Sequence, residues 1–357
     1  MLIHRLELTN FRNYPRAELS PCAGITALVG DNAQGKTNLL EAVYLCCTGR
    51  SHRTRQDREL ILWGEEFCRV HVQAERFDGR HDVDIALPLS GRRRIKINGS
   101  EVTRSGELMG HVTGVLFSPE DLQLIKDSPA ERRRFMDMAL SQIRPAYYYA
   151  LQRYQRALRQ RNELLRAGAL DSLEIWDEQL ALCGAEVMRR RREYLESLSS
   201  FAIGTHRDIS SDRESLTVRY APNITRGESP EDLLRDLFEA RSADLKRLTT
   251  TVGPHRDDIL LRVGGKELRA FGSQGQQRTA ALSLRLAELR MVQDATGEAP
   301  ILLLDDVMSE LDPDRRRQLL RHLRGIQALI TCTDLEDLAG AEVGQAQRVK
   351  GASLLPL

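Results

Sequence analysis

Residues 30–37 combine two glycines with a Lys-Thr pair at a spacing suited to chemistry on phosphate groups. They read Gly-Asp-Asn-Ala-Gln-Gly-Lys-Thr and fit the pattern G-x-x-x-x-G-K-[ST]. The glycines allow a tight turn whose backbone N–H groups point at phosphate oxygens. Lys36 supplies a positive charge for the β- and γ-phosphates, and the hydroxyl of Thr37 is a ligand for Mg²⁺. The residues that we expect to contact ATP are Gly30, Asp31, Asn32, Ala33, Gln34, Gly35, Lys36 and Thr37.

The neighbouring sequence places this loop between a strand and a helix. Residues 25–29 form an apolar run typical of a buried strand, and residues 38–45 have the pattern of a helix. The helix would begin at the loop, so that its N-terminal dipole faces the bound anion. A glycine turn that matches the pattern by chance is the alternative, and the strand–loop–helix order argues against it.

A second group of chemically suited residues follows an apolar run late in the chain. Residues 301–306 read Ile-Leu-Leu-Leu-Asp-Asp, which is typical of a central parallel strand covered on both faces. Asp305 is placed to hold Mg²⁺, directly or through water. Asp306 could act as a general base on the attacking water. We therefore predict Lys36, Asp305 and Asp306 as catalytic residues, and Thr37 with Asp305 as the metal site.

Residues 271–278 indicate a second helix end that binds an anion. They read Phe-Gly-Ser-Gln-Gly-Gln-Gln-Arg and lead into a predicted helix. The helix dipole, together with Ser273, Gly275 and Gln276, makes an anion site. One nucleotide needs only one such helix end. We therefore predict that the second one contacts ATP held by another copy of the chain, in a head-to-tail homodimer with ATP at the interface.

The remaining pattern separates a strand-rich head from a helical insertion. Residues 68–102 alternate with a period of two and contain Asp-Gly and Asn-Gly turns, which predicts an antiparallel meander. Residues 147–201 repeat apolar side chains at spacings of three and four, which predicts an arm of two long antiparallel helices with Gly168 between them. We place the first part of the head at residues 1–117, the helical arm at 118–250 and the rest of the head at 251–357.

Composition limits the classes of partner. The chain has 357 residues, of which 41% are hydrophobic, and a formal net charge of +1. No apolar run is long enough to span a bilayer and the first residues lack a signal-peptide pattern, so we expect a cytoplasmic protein without membrane contact. The six cysteines form no C-x-x-C pair and no metal-ligand spacing, which is typical of reduced thiols.

With so little net charge, any contact with nucleic acid depends on local basic stretches. Two stretches are candidates for contacts with DNA phosphates, and ordinary solvated loops are an equally good interpretation of both. Neither stretch has aromatic residues interleaved with its arginines, so we expect contacts with the DNA backbone rather than base stacking. The candidate DNA-binding residues are Arg50, Arg53, Arg55, Arg92, Arg93 and Arg94.

These motifs together resemble an ABC-type ATPase head of the SMC kind. Three further stretches narrow the resemblance to the RecF family, and they are Asn-Phe-Arg-Asn-Tyr at 10–14, Pro-Glu-Asp-Leu at 119–122 and Gly-Pro-His-Arg-Asp-Asp at 253–258. The resemblance covers essentially the whole chain. It implies an α/β fold, an ABC/SMC-type P-loop ATPase head with an antiparallel β subdomain and an inserted helical arm that is similar to a coiled coil.

Membership of this family implies an ATP-dependent recombination mediator that dimerises on ATP with Mg²⁺. Such proteins bind double-stranded, gapped, junction and single-stranded DNA, and with RecO and RecR they help to load RecA in recombinational repair, replication restart and the SOS response. Their weak ATPase activity is stimulated by DNA and serves as a conformational switch. By position, Arg12 would reach the phosphates and Ser273 would contact the γ-phosphate in trans.

The sequence departs from the broad ABC pattern at three places. The signature is Ser-Gln-Gly-Gln, the usual catalytic Glu is the shorter Asp306, and residues 329–333 end in Thr where many heads carry a histidine. Despite these departures we expect the protein to bind ATP, but we do not expect it to hydrolyse ATP quickly. A small-molecule P-loop kinase stays an alternative, although it gives residues 273–277 no role. A peripheral transporter subunit shares the signature but not the arm.

Overall fold

The computed structural model describes residues 1–169 and 171–357, which form two compact units. The first unit comprises residues 1–121, 208–212 and 281–357, and the second comprises residues 122–207 and 213–280. The division predicted from the sequence stays a prediction. The two divisions differ most at residues 251–280, which lie in the second unit.

Fifteen strands and nine helices are present in the described part of the chain. The strands are β1 (Leu2–Phe11), β2 (Tyr14–Leu19), β3 (Ile25–Val29), β4 (Phe67–Arg76), β5 (Gly79–Pro88), β6 (Arg94–Ile97), β7 (Ser100–Val102), β8 (Gly114–Phe117), β9 (Leu216–Ala221), β10 (Asp258–Val263), β11 (Lys266–Glu267), β12 (Ile301–Asp305), β13 (Ala328–Cys332), β14 (Val343–Lys350) and β15 (Ser353–Pro356). The helices are α1 (Lys36–Thr48), α2 (Gln123–Lys126), α3 (Pro129–Ile143), α4 (Pro145–Ala167), α5 (Leu173–Ser210), α6 (Pro230–Arg247), α7 (Leu268–Phe271), α8 (Gln274–Thr296) and α9 (Pro313–His322).

A largely parallel sheet in the first unit positions the predicted chemistry. Its strand order is β15-β14-β3-β13-β12-β8, and only the β14–β15 pair is antiparallel. Every residue of β12 and β13 is buried, as their continuous apolar sequences predict. Because parallel strands end at the same edge of a sheet, the loop after β3 and the acidic end of β12 meet there.

An antiparallel sheet with the order β2-β1-β4-β5-β6-β7 completes the first unit. The meander predicted for residues 68–102 is confirmed by strands β4 to β7, which pair in sequence order. Buried side chains alternate along β4 and β5 and share one hydrophobic core with α1 and the parallel sheet. The core therefore fixes α1, and with it the start of the predicted phosphate loop.

The second unit contains the predicted long helices and a small sheet of order β11-β10-β9. Helix α4 ends at Gly168, which has a φ of 68°, as predicted. The two long helices predicted for the arm are present as α4 and α5, and a buried charge network joins them to α6. The fully buried Arg161 bonds Asp177 of α5 at 2.5 Å and Asp244 of α6 at 2.6 Å. Each charge is paired, which makes its burial tolerable.

Among the described residues, no helix combines the length and the apolar character that a bilayer crossing requires.

Candidate nucleotide site

The loop predicted to bind phosphate turns between β3 and α1. Gly35 caps the helix with a φ of 113°, a conformation that only glycine adopts without strain. A Cβ atom at Gly30 would lie 2.3 Å from the carbonyl oxygen of Val349 in β14. Lys36 donates hydrogen bonds from Nζ to the carbonyl oxygens of Gly30 and Asp31. Both glycines of the pattern are therefore required by the local geometry.

Asn13 and Tyr14 hold the loop from the turn between β1 and β2. The Asn13 amide donates to the carbonyl oxygen of Gln34 at 3.2 Å, and the Tyr14 hydroxyl donates to that of Gly35 at 3.2 Å. Asn38 of α1 donates to Oδ1 of Asn13 at 2.8 Å. Burial raises the pKa of Tyr14, so the phenol keeps its donor proton. The segment at residues 10–14 thus positions the phosphate loop, a role that its sequence alone did not indicate.

The acidic end of β12 lies against the loop. The hydroxyl of Thr37 donates to Oδ1 of Asp305 at 2.8 Å, and the hydroxyl of Thr331 in β13 donates to the same oxygen at 2.9 Å. Thr331 also accepts a hydrogen bond from the backbone N–H of Asp306 at 2.9 Å. Burial raises the pKa of Asp305 even though the two hydroxyls oppose it. Thr331 is a site residue that the sequence analysis passed over.

Asp306 has a φ of 50°, in the left-handed region that few non-glycine residues occupy. The hydroxyl of Ser309 donates to the backbone oxygen of Asp306 at 2.9 Å and approaches its Oδ1 at 3.2 Å. The backbone of Asp306 therefore belongs to the turn after β12 and is not a continuation of the extended strand. Strained backbone of this kind is concentrated at functional sites.

These residues surround one cavity of 370 Å³. Its lining includes the loop, both predicted acids and Thr331, and the full set is Asn13, Asn32, Ala33, Gly35, Lys36, Thr37, Asn38, Arg53, Asp305, Asp306 and Thr331. Hydroxyl and carboxylate oxygens at Thr37 and Asp305 are the donors that Mg²⁺ prefers, and Mg²⁺ needs few protein ligands because phosphate oxygens and water complete its shell. The donor set therefore fits this ion. Among the described residues, no cluster of three His, Cys, Asp or Glu residues is arranged for a metal.

Arg12 bonds a buried carboxylate, whereas Arg53 lines the cavity. Arg12, predicted to reach the phosphates, donates two hydrogen bonds to the buried Glu41 of α1, at 2.8 and 2.6 Å. Arg53, which we assigned to DNA, lines the cavity, donates to Oδ1 of Asn38 at 2.9 Å and lies 3.6 Å from Glu41. Burial would raise the pKa of Glu41, but hydrogen bonds from Arg12 and Ser51 outweigh it and lower the pKa. Glu41 therefore organises the basic loop beside the cavity.

The two basic stretches assigned to DNA are joined in the structure by Arg93. This side chain donates to the carbonyl oxygen of Gly49 and to Asp57, so it connects the β5–β6 turn to the loop after α1. Arg93 is thus a structural residue within the patch. The remaining candidates, Arg50, Arg55, Arg92 and Arg94, are exposed, as is Arg53.

Two exposed aromatic residues lie in or next to the loop that leads into β4, outside the two basic stretches. Trp63 is 98% exposed in the loop that leads into β4, and Phe67 at the start of β4 is 45% exposed. Phe67 pairs with Pro88 across β4 and β5, and Leu89 donates its N–H to the carbonyl of Glu66 at 2.7 Å. The β5–β6 turn that carries Arg92 therefore begins beside Phe67.

The predicted signature begins α8 in the second unit. Ser273 is exposed directly before the helix, its hydroxyl accepts from the N–H of Gln276 at 3.2 Å, and its own N–H donates to the Gln276 side chain at 2.9 Å. This reciprocal pair is a capping box, which fixes the first turn of the helix. Gln276 also donates to Glu214 at 3.0 Å, and the carbonyl of Gly275 accepts from Thr279. Phe271 beside it is 72% exposed.

The stretch at residues 253–258 is largely structural. Asp257 is buried and accepts from Arg191 of α5 at 2.9 Å, and Asp258 pairs with Arg132 of α3 at 2.6 Å. His255 bonds the Tyr154 hydroxyl through Nδ1 at 2.6 Å, and burial lowers the pKa of His255 to about 4. These contacts hold α3, α4 and α5 together. Arg256 is the exposed side chain of the stretch.

Comparison with known proteins agrees with this geometry. The family described as RecF/RecN/SMC N terminal domain matches residues 2–349. The RecF protein of Alkaliphilus oremlandii is 43% identical over 346 residues, which cover 95% of each chain. The RecF protein of Acetivibrio thermocellus is 42% identical over 347 residues, which cover 94% of each chain.

Solved structures of a RecF protein and of an SMC head domain are also similar to this chain. One described as the recombination mediator protein RecF-ATP in the RecFOR pathway has a TM-score of 0.93 at 37% identity, covering 100% of this chain and 97% of that one. An SMC head domain with an extended coiled coil from Pyrococcus furiosus has a TM-score of 0.59 at 17% identity, covering 100% and 96%, and shows likeness of fold.

Fold and site together define an ATPase head of the ABC type, in the arrangement of SMC proteins. Within that class, the chain belongs to the RecF family of DNA replication and repair proteins.

Proposed function

We propose that this protein is an ATP-switched DNA-binding protein of recombinational repair. Binding of ATP joins two copies of the chain, and the paired copies hold DNA. Hydrolysis of ATP then releases the DNA. The observation that carries the proposal is the 2.8 Å hydrogen bond between Thr37 and Asp305, which are 268 residues apart in the sequence. A phosphate loop and a carboxylate that meet in this way form a site for a nucleoside triphosphate and its metal.

Each site residue then has a defined task. The backbone N–H groups of residues 31–35 bind phosphate oxygens, and the Nζ of Lys36, which lies over the loop, bonds the β- and γ-phosphates. Thr37 and Asp305 would hold Mg²⁺, which would supply positive charge against the phosphates. Asp306 orients the attacking water and accepts its proton. Because Asp306 is shorter than the usual glutamate, we expect slow hydrolysis.

Arg53 adds a positive charge to the same cavity. Arg53 is one of the residues that line this cavity, and the loop of Arg53 also carries Arg50 and Arg55. A DNA contact on the outer side of this loop would therefore move a residue of the nucleotide site. This connection supports an ATPase activity that DNA stimulates, since a shift of one side chain changes the electrostatics of the cavity.

Ser273, Gly275 and Gln276 contact the γ-phosphate of a second copy. The exposure of Ser273 and of Phe271 supports a surface that is covered by a partner. ATP binds the pair better than the single chain because each nucleotide then gains a second set of donors, and this difference in affinity drives dimerisation.

DNA lies across the surface formed by Arg50, Arg55, Arg92 and Arg94. Phe67 lies beside the turn that carries Arg92, and the exposed Trp63 precedes Phe67 by four residues. Arginines provide most of the affinity through backbone phosphates, and the aromatic residues add contacts to bases where a strand is unpaired. Family membership supports gapped or junction DNA as the target, RecO and RecR as partners, and the loading of RecA in the cytoplasm as the outcome.

Sedimentation of the full chain with a nonhydrolysable ATP analogue tests the shared nucleotide. We expect the parent to form a dimer and Ser273→Arg to remain a monomer that still binds ATP, because its own phosphate loop is intact. Asp306→Asn should dimerise and hydrolyse ATP more slowly. A Ser273→Arg variant that dimerises as well as the parent would exclude the trans contact, and a parent that stays monomeric with ATP analogue and DNA would exclude the switch.

A further inference from the structure

A second cavity, of 540 Å³, lies at the opposite edge of the parallel sheet from the phosphate loop. It is formed by α9 with the turn after it, by residues 23–25 at the start of β3, and by residues 339–342 before β14. The phosphate loop follows the other end of β3. A strand of five residues therefore separates the two cavities by about 16 Å.

Arginine side chains dominate the charge of this cavity. Arg316, Arg317, Arg321 and Arg324 line it, whereas Glu342 is the one acidic residue of its lining. Arg317 bonds Asp314 in the same helix. For the other three arginines, the described residues provide no carboxylate within ion-pair distance.

Arg316 also has an unsatisfied donor. Its Nε is buried and has no hydrogen-bond partner among the described residues, and its Nη2 reaches only the carbonyl of Leu311 at 3.4 Å. A buried donor without a partner is costly, and most such groups in native proteins are paired. Together with the positive charges of the exposed Arg321 and Arg324, this buried donor favours an anionic occupant.

The rest of the lining indicates what kind of anion fits. Ile25, Leu320, Leu323 and Ile326 give the cavity an apolar floor, and none of the described residues that line it is aromatic. Unpaired bases bind mainly by stacking on aromatic rings, and duplex DNA is too wide for a cavity of this volume. Carboxylates form bidentate bonds with arginine, and an apolar side chain suits the floor.

We propose that this cavity binds a short acidic segment of a partner protein, with carboxylates on the arginines and a large apolar side chain on the floor. The site is distinct from the nucleotide cavity and from the DNA surface. It gives the protein a docking point for a partner on the edge of the sheet that faces away from ATP.

Fluorescence anisotropy with a labelled synthetic octapeptide, Glu-Asp-Leu-Glu-Glu-Leu-Asp-Glu, tests this proposal on the full chain. We expect saturable binding, and a loss of affinity of about tenfold or more in the double variant Arg321→Glu with Arg324→Glu, since hydrogen bonds between charged groups are the strong ones. Arg80→Glu, an exposed arginine of β5, is the matched control and should bind as the parent does. A peptide with both leucines replaced by serine should bind about tenfold more weakly.

Labelled single-stranded and duplex 20-mers are the competing probes. If the double variant loses affinity for DNA and not for the peptide, the cavity is a nucleic-acid site and the proposal is wrong. If the peptide fails to bind the parent, or binds parent and double variant equally, the proposal is also wrong. Thermal melting and ATP binding should be unchanged in the double variant, which separates a lost site from a lost fold.

Discussion

The hydroxyl of Thr331 lies 2.9 Å from Oδ1 of Asp305 and donates a hydrogen bond to it, while it accepts one from the N–H of Asp306. One side chain of β13 thus connects the carboxylate that would hold the metal to the residue that would activate water. Because parallel pairing places Thr331 opposite Asp305, the sheet itself sets this distance.

We predict that Thr331→Val slows hydrolysis while ATP still binds. Valine has a similar shape but cannot bond Asp305 or Asp306, so kcat should fall about tenfold or more, with KM changed little. The unfolding free energy should fall by about 1–3 kcal/mol, because two buried groups lose their partner. Thr331→Ser keeps the hydroxyl and is the control. Equal kcat values for the valine variant and the parent would show that Thr331 does not position the acid.

Asp305→Asn should stabilise the nucleotide-free protein at neutral pH. Burial raises the pKa of Asp305 above its ordinary value of 3.8, so the folded state prefers the protonated acid. The stability that this group contributes is present below that ordinary value and is lost as the pH rises through the folded pKa. Asparagine stays neutral and keeps an acceptor for Thr37 and Thr331.

Urea denaturation as a function of pH measures the effect. The gain in stability of Asp305→Asn over the parent should be largest near pH 7 and should shrink as the pH falls through the folded pKa toward 3.8. Adding ATP with Mg²⁺ should stabilise the parent more than the variant, because the variant lacks the charged metal ligand. If the gain in stability did not depend on pH, burial of the charged Asp305 carboxylate would not be its cause.

Glu41→Gln should destabilise the protein and loosen the basic loop after α1, which carries Ser51 and Arg53. The buried carboxylate holds Arg12 and Ser51 and lies near Arg53. Removing its charge leaves Arg12 with a neutral partner, and we expect a loss of about 3 kcal/mol at pH 7. Because the pKa of Glu41 is lowered, its contribution is present above the ordinary value of 4.5 and is lost as the pH falls through the folded pKa.

The difference between Glu41→Gln and the parent in urea denaturation should therefore narrow at acid pH. Glu18→Gln is the control, since Glu18 also pairs with an arginine but on the exposed surface, where ion pairs contribute little. A Glu18→Gln variant as unstable as Glu41→Gln would show that burial of the Arg12 pair is not the cause.

Residues that act within one short motif were predictable, and residues that depend on distant partners were not. The phosphate loop and Asp305 follow from local glycine spacing and one apolar run. Arg12 and Arg53 could not be distinguished, because their positions depend on Glu41, which lies in the middle of a helix with no visible motif. Likewise Arg191 sits in a run of four arginines but is buried against Asp137 and Asp257, a contact that only the tertiary fold creates.

Gly30→Ala should disrupt the phosphate loop through a contact with β14. The added Cβ atom would lie 2.3 Å from the carbonyl oxygen of Val349, so loop or strand must move. We expect a loss of about 1–3 kcal/mol in stability and weaker ATP binding by calorimetry. Gly24→Ala is the control, because its Cβ atom would meet nothing within 4 Å. Unchanged ATP affinity in Gly30→Ala would show that the loop tolerates the shift.

Trp63→Ala should weaken binding to gapped DNA more than binding to intact duplex. A tryptophan that is 98% exposed has no role in the core, and stacking on an unpaired base is worth about 1–3 kcal/mol. Affinity for a gapped substrate should therefore fall about tenfold in anisotropy titrations, while Trp63→Phe keeps most of it.

Arg92→Ala should instead weaken binding to both substrates and reduce the salt dependence, because a phosphate contact is lost whatever the strand structure. Tryptophan fluorescence gives an independent measurement, since quenching by single-stranded DNA should disappear in Trp63→Ala and leave the signal of Trp176 unchanged. Equal losses on gapped and intact DNA would mean that Trp63 contacts the backbone or a protein rather than bases.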